Sequence, residues 1–559
     1  MSMKLYYLVG LPLVVAAGIL SERHSARKKV RLQRALLREA FGTGASDGTM
    51  LKKAEEYWHN DPPAAAENRF LLDDATWADL DMDAVYCLMD HCQSVMGKTA
   101  LYAALRTLHL DGTADARRKT LRQAADADTV NELQYQLWTL RDALGNDYYD
   151  NMVLLCQGQP FATPYRRLIQ CMAPLPLVAL LGFFVSPQVG LLMLLTALVV
   201  NFIGTMVLKT RIPTYHAGRG LGVFVSTAQR MLPALETLDP AEAARLRAIL
   251  HTLQPFKTPL SLLAQDAVLE QQGFPSPGNL FLLPLLAYLR LERLLVVKRD
   301  DIRALTDSLG QIDLACAEAS FRQSLPYLCL PEFVPEAGVQ TTALYHPLLD
   351  APVPNDASLE RTVLITGSNA SGKSTFMRTV ALNCILAQTF GFCTARRFVM
   401  RCGGVASSMN NADSLRGGSS YFVSELTALL RLETLARAGY CMLFIDEIFR
   451  GTNTIERVAA SAALLGSLHD DTGAMCVTAT HDMELTQILA SHYQMLHFSE
   501  QSAQGHISFD YKLCPGPSRT KNALRLLRDF GFPEAMVSSA ETLADDFAQS
   551  GRWAQRTVS

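Results

Sequence analysis

The stretch "GSNASGKS", Gly367 to Ser374, decides the fold. It follows the short apolar run "TVLIT" and precedes "TFMRTVALNCILAQ", which is compatible with a helix. A G-x-x-x-x-G-K-[ST] pattern between a strand and a helix predicts a phosphate-binding loop. Its glycines let backbone N–H groups turn inward onto phosphate oxygens at the positive end of the following helix. In this reading Gly367, Ser368, Asn369, Ala370, Ser371, Gly372, Lys373, Ser374 and Thr375 cradle ATP. Lys373 reaches the β- and γ-phosphates, and the Ser374 hydroxyl holds Mg²⁺.

Working outward, "CMLFIDE" reads as a buried strand ending in two acids. Asp446 is expected on the Mg²⁺ side and Glu447 as the base for the attacking water. A further run, "AMCVTAT", ends beside His481, which in a parallel sheet would face the γ-phosphate. Short apolar runs alternating with helical segments after Pro347 predict a parallel sheet covered by helices, an α/β P-loop NTPase domain. Between the loop and the Asp-Glu strand lies "GGSSYFVSEL", Gly417 to Leu426, with the small residues and hydroxyls of a second phosphate-binding turn.

That order resembles the MutS family of DNA mismatch-repair ATPases. "GKSTFMR" with Asn369, "SLRGGSSYFVSEL", "DEIFRGTNT" and "TATHDMELTQI" are each similar to a segment of that family's ATPase, an ABC-like domain. His346-Pro347 is similar to the HP preceding it, and "FLLDDATWADLDMDAVY" and "LGQIDLACAEASF" look like the two ends of the family's helical core. The resemblance implies that the ATPase domains pair, that Ser420 caps the γ-phosphate of the partner's ATP in trans, and that Glu425 matches the family's glutamate. It stops short of mismatch reading, because the Phe-x-Glu matches at Phe498 and Phe532 fall in or after the ATPase. "SRTKNALRLL", from Ser518, replaces the family's K-S-Y-G-like stretch, which leaves the adenine contacts unassigned.

The chain has 559 residues, 49% apolar and 19% charged, with a formal net charge of −3, so any DNA contact requires a local patch. Its mean hydropathy of +0.11 points to membrane segments. "LYYLVGLPLVVAAGIL", Leu5 to Leu20, precedes a basic run and reads as a signal anchor within residues 1–40. Leu168 to Leu208 is long enough for two crossings turning at Ser186–Gln188, with Arg166, Arg167, Lys209 and Arg211 at its outer ends. The twelve cysteines lack a CxxC pair and read as reduced structural thiols. Leu291, Leu295, Ile302, Leu305 and Leu309 form a stripe predicted to line one long helix facing the core.

The predicted organisation is an anchor at 1–40, an all-α core and lever domain at 70–330 interrupted by a transmembrane hairpin at 168–208, and the ATPase at 340–545. The predicted function is ATP hydrolysis to ADP and phosphate by a homodimer with about three spans in the cell membrane and a cytoplasmic ATPase. DNA is a possible partner, and no small-molecule substrate beyond ATP is expected. The competing readings are an ABC-type transporter ATPase, disfavoured because "GGSSYF" is not LSGGQ, and an ATP-dependent membrane scaffold without DNA binding.

Overall fold

The computed structural model describes residues 28–43, 48, 50–60, 68–113, 127–144, 164–551 and 553, except 272, 274, 369–370, 410–420, 451, 504–505, 519–523, 525–526 and 529. The anchor at Leu5–Leu20, Asn369, Ala370, Ser420 and most of "SRTKNALRLL" lie outside the described residues. The chain divides into two compact units.

The first unit comprises Met1–Pro62, Tyr86–Ala103 and Ala116–Ser324, and among the described residues it is helical throughout. Proline opens three of its helices, Pro187–Arg211, Pro213–Leu238 and Pro240–Thr252, where its missing N–H costs nothing. Asp239 caps the last of these by accepting from the N–H groups of Ala241 and Glu242. Tyr215, Leu221, Phe224, Met231, Leu246, Leu263, Tyr288, Leu305 and Ile312 form one buried cluster. The predicted long helix is two, Leu283–Val297 and Arg299–Ser324, broken at Lys298. Asp300 and Asp301 in the first turn favour a helix start there, and Lys298 pairs with Asp301. The stripe is core as expected, since Leu291, Ile302, Leu305 and Leu309 are all buried.

The apolar stretch folds as a helical hairpin. Its first arm, Arg166–Phe184, is segmented into Arg166–Met172, Leu175–Ala179 and a 3₁₀ turn at Leu180–Phe184, interrupted where Pro174 and Pro176 cannot donate. Ser186 caps the second arm, Pro187–Arg211, with its hydroxyl accepting from Val189 N–H. Both arms are long and apolar enough to cross a membrane. Phe184 is 89% exposed and Leu192 67%, with Leu177, Leu181, Val185, Leu191, Leu195 and Val199 also facing outward. Towards its C-terminal end the second arm gains polar anchors. Asn201 Nδ2 donates to Leu280 O (3.1 Å) and Thr205 Oγ1 to Asn279 O (3.0 Å). Lys209 and Arg166 are not free flanking charges. Lys209 is buried and paired with Asp266 (2.6 Å) and Glu270 (2.6 Å), and Arg166 pairs with Glu292.

The second unit comprises Pro63–Val85, Ala104–Asp115 and Leu325–Ser559. Its six-stranded sheet runs in the order His506–Pro515, Gln494–Ala503, Thr362–Thr366, Met475–Thr480, Cys441–Asp446, Gly404–Ser408. All neighbours are parallel except the first pair. Parallel strands covered on both faces are largely apolar, as "TVLIT", "CMLFID" and "MCVTAT" are, and every residue of these three is buried. A second sheet of four short strands includes Val339–Leu344 and Asn355–Leu359.

"FLLDDATWADLDMDAVY", assigned by resemblance to an end of the helical core, folds mainly into this second unit. Arg69–Leu71 pairs with Thr107–His109, and helix Asp74–Asp79 lies along the edge strand Gly404–Ser408. Ser407 N–H donates to Thr76 Oγ1 (3.1 Å), while Ser407 Oγ (2.8 Å) and Met409 N–H (2.9 Å) donate to Asp79. Gly404 is required there, because a Cβ would stand 2.6 Å from the Phe70 ring.

Candidate functional site

The ends of three neighbouring parallel strands converge on one sheet edge. Register sets Thr366 opposite Thr480 and Asp446 opposite Ala479, so the loop at Gly367, the acids at Asp446 and Glu447, and His481 emerge together. This is the carboxyl edge at which open α/β sheets bind ligands.

The loop needs its glycines. Gly367 has φ +140°, and a Cβ there would come 2.9 Å from Ser371 Oγ. Gly372 has φ +100°, and a Cβ would come 3.2 Å from the Tyr511 ring. The helix Lys373–Thr389 begins immediately after. Lys373 is buried, its Nζ donating to Gly367 O and Ser368 O (both 2.7 Å) and lying 3.4 Å from His481 Nε2. Its amine therefore sits across the mouth of the loop, where phosphate oxygens would replace the two carbonyls.

Ser374 Oγ donates to Asp446 Oδ2 at 2.5 Å. Two hard oxygen donors this close, one anionic, suit Mg²⁺, which is commonly held by one or two such groups plus substrate phosphates. Glu447 adopts φ +54°, a left-handed conformation that costs a non-glycine residue about 1–2 kcal/mol. Its N–H donates to Ala479 O (3.0 Å). Its carboxylate is held on both oxygens, by His481 Nε2 (3.0 Å) and by Arg450 Nε (2.6 Å). The hydrogen bond to His481 and the Arg450 charge, against partial burial, lower its pKa and keep it ionised. Arg457 grips Asp482 through two bonds, 2.9 and 2.6 Å, and so fixes the turn that carries His481.

The helix Tyr421–Ala438, which includes Tyr421 to Leu426 of "GGSSYFVSEL", joins this network. Glu425 is buried and accepts from Arg450 N–H at 3.3 Å. A chain of contacts thus runs from that helix through Arg450 to Glu447. Sequence reasoning missed Arg450 as a partner of the base, although "DEIFRGTNT" contains it. It also missed Tyr511, which is half-exposed beside Gly372 with φ +54°. Asn355 holds that position, donating to Tyr511 O (2.9 Å) and accepting from Leu513 N–H (2.9 Å). One of two aromatics in a strand of alternating character, Tyr511 gave no signal of its place beside the loop.

Residues 363–548 match the model of MutS domain V. Over this region the chain is similar to the MutS family. It is 32% identical over 274 residues to DNA mismatch repair protein MutS 2 of Haloarcula marismortui, covering 44% of this chain and 29% of that protein. It is likewise 32% identical over 262 residues to DNA mismatch repair protein MutS of Natronomonas pharaonis, covering 44% and 30%. The match to DNA mismatch repair protein MutS of Thermus thermophilus is 32% over 212 residues, covering 36% and 25%. The chain thus spans less than a third of the length of these MutS relatives. DNA mismatch repair is the function those relatives are named for.

Proposed function

We propose that this MutS-like chain is a membrane-anchored ATPase that works as a homodimeric switch, with DNA as the candidate macromolecule it acts on. The observation that carries the reading is the convergence of Lys373, Ser374 with Asp446, and Glu447 with His481 on one carboxyl edge. Lys373 binds the β- and γ-phosphates of ATP. Ser374 and Asp446 would hold Mg²⁺, which would supply charge neutralisation. Glu447, ionised, accepts a proton from the attacking water once Arg450 yields its oxygen, and His481 orients the carboxylate and faces the γ-phosphate. Tyr511 walls the loop beside Gly372. The exposed apolar hairpin supports the membrane assignment, because soluble surfaces seldom leave contiguous apolar patches of this size uncovered. The ATPase then sits on the cytoplasmic side.

The dimer follows from the resemblance of "SLRGGSSYFVSEL" to the loop that serves a partner's nucleotide. Mixing Lys373→Ala and Ser420→Arg proteins tests it. Each parent homodimer should be nearly inactive, and the mixture should recover up to about half of the native ATPase rate per mixed dimer, because one of its two sites is intact. No recovery, with subunit exchange demonstrated, would mean that Ser420 serves its own chain. Adding homoduplex, mismatched and branched DNA to the native protein in the same assay shows whether any of them changes the rate.

A further inference from the structure

We propose that His469, Asp470 and His492 form a binding site for a divalent transition-metal ion of the zinc class, at the sheet edge opposite the phosphate loop. One potential donor atom from each residue lies within 4.8 Å of the other two. His469 and Asp470 close the helix Thr454–Asp470, and His492 precedes the strand Gln494–Ala503. Thr362, which touches both histidines, opens the strand whose other end leads into Gly367. About 13 Å of strand therefore separates this cluster from the nucleotide edge.

The second observation is the hydrogen bonding of the ligands. Thr362 Oγ1 lies 2.7 Å from His492 O, a carbonyl that can only accept, so the hydroxyl proton is committed there. The same oxygen lies 3.0 Å from His469 Nδ1 and must accept from it. His469 is thereby fixed as the Nδ1–H tautomer, with its lone pair on Nε2. Metal-binding histidines are commonly set up in this way, with the second ring nitrogen donating to a polar group of the fold. The two imidazoles stand nearly perpendicular (82°) with centroids 5.0 Å apart, and Ser491 Oγ lies 2.8 Å from His492 Nδ1. Arg361, the nearby cation, is committed to backbone, donating to His469 O (2.8 Å) and Thr472 O (2.9 Å).

Two imidazoles and one carboxylate suit Zn²⁺, Co²⁺ or Ni²⁺ rather than Mg²⁺ or Ca²⁺, and three protein donors leave the fourth position to water or to a group from elsewhere. This chemistry is separate from the hard-oxygen pair Ser374 and Asp446. The test is Co²⁺ titration of chelator-stripped full-length protein in detergent, followed by visible absorption, with competition by Zn²⁺. One Co²⁺ per chain is expected, with a nitrogen/oxygen-ligand spectrum and no thiolate charge-transfer band. Asp470→Asn and His492→Ala should each weaken binding at least about tenfold. Thr362→Val, which removes no ligand, should weaken it by about tenfold. Fluorescent ATP-analogue affinity should stay unchanged in all three, showing that the domain is folded. Unchanged Co²⁺ affinity in the exposed-residue variant Asp470→Asn, or a thiolate-type spectrum, would overturn the proposal.

Discussion

Glu447 is the residue on which the proposed chemistry turns, and its surroundings state how it should fail. The carboxylate is held by His481 and Arg450, in a backbone conformation that the strand's end imposes. Glu447→Gln keeps the shape and loses the proton acceptor. ATP should still bind, while turnover falls by about 10²- to 10⁴-fold, measured as single-turnover phosphate release. Native turnover in this variant would place the base elsewhere. His346 makes a prediction about stability. Burial, reinforced by the Arg378 charge, lowers its pKa to about 4. An unfolded histidine takes up its proton near 6.5. Between those values the unfolded chain binds the proton and the folded chain does not. Stability therefore falls as pH drops through that window, by up to about 3 kcal/mol, and is recovered above it. Urea midpoints should fall between pH 7 and pH 4.5, and His346→Gln should flatten part of that fall.

At the scale of elements, the N-terminal end of helix Val95–Arg106 shows how a single glycine can specify a packing arrangement. Asp313 accepts from Gln93 N–H (3.0 Å), Ser94 N–H (2.7 Å) and Ser94 Oγ (2.6 Å), so that one buried carboxylate gathers the start of the helix. A Cβ on Gly97 would stand 2.3 Å from Asp313 Oδ2. Gly97→Ala should cost about 1–3 kcal/mol, read as a lower thermal midpoint, because a fully bonded carboxylate has nowhere to move. An unchanged midpoint would mean that this end of the helix shifts freely. Elements of this kind also mark where the sequence was legible. The strand Thr362–Thr366, the helix from Lys373 and the acids closing Cys441–Asp446 were readable because each is a local pattern: a buried run, a loop of fixed spacing, a helix start. The edge role of Thr76 and Asp79 was not, since it depends on pairing with Ser407 and Met409 more than 300 residues later. Nor was the burial of Lys209. From the chain alone it is a basic residue after an apolar run, and only the helix Lys257–Gln271 supplies the acids that neutralise it.

For the whole molecule, the hairpin makes the sharpest demand. Helices with outward-facing Leu, Val and Phe on nearly every turn are seldom left uncovered in water. The protein should sediment with membranes and stay there through high salt and alkaline carbonate, followed by immunoblot. Release by salt alone would mean that a protein partner, rather than lipid, covers the hairpin.

The sheet edge at Gly404–Ser408 has a consequence for how this chain can be made and divided. Its outer hydrogen bonds end on Thr76, Asp79 and Arg431, and Phe70 fills the space beside Gly404. During synthesis those N-terminal residues leave the ribosome more than 300 positions before the strand that they finish. Until then Thr76 and Asp79 lack the strand that they bond, and the strand without them keeps Arg431, which donates to Ser407 O, as an outer contact. A fragment begun at Leu325, the natural place to cut by sequence, would carry every nucleotide-binding motif and still expose an unfinished β-edge. The smallest autonomous form of the second unit is therefore discontinuous in the gene: its coding sequence must bring the Phe70–Asp79 segment along with the C-terminal half.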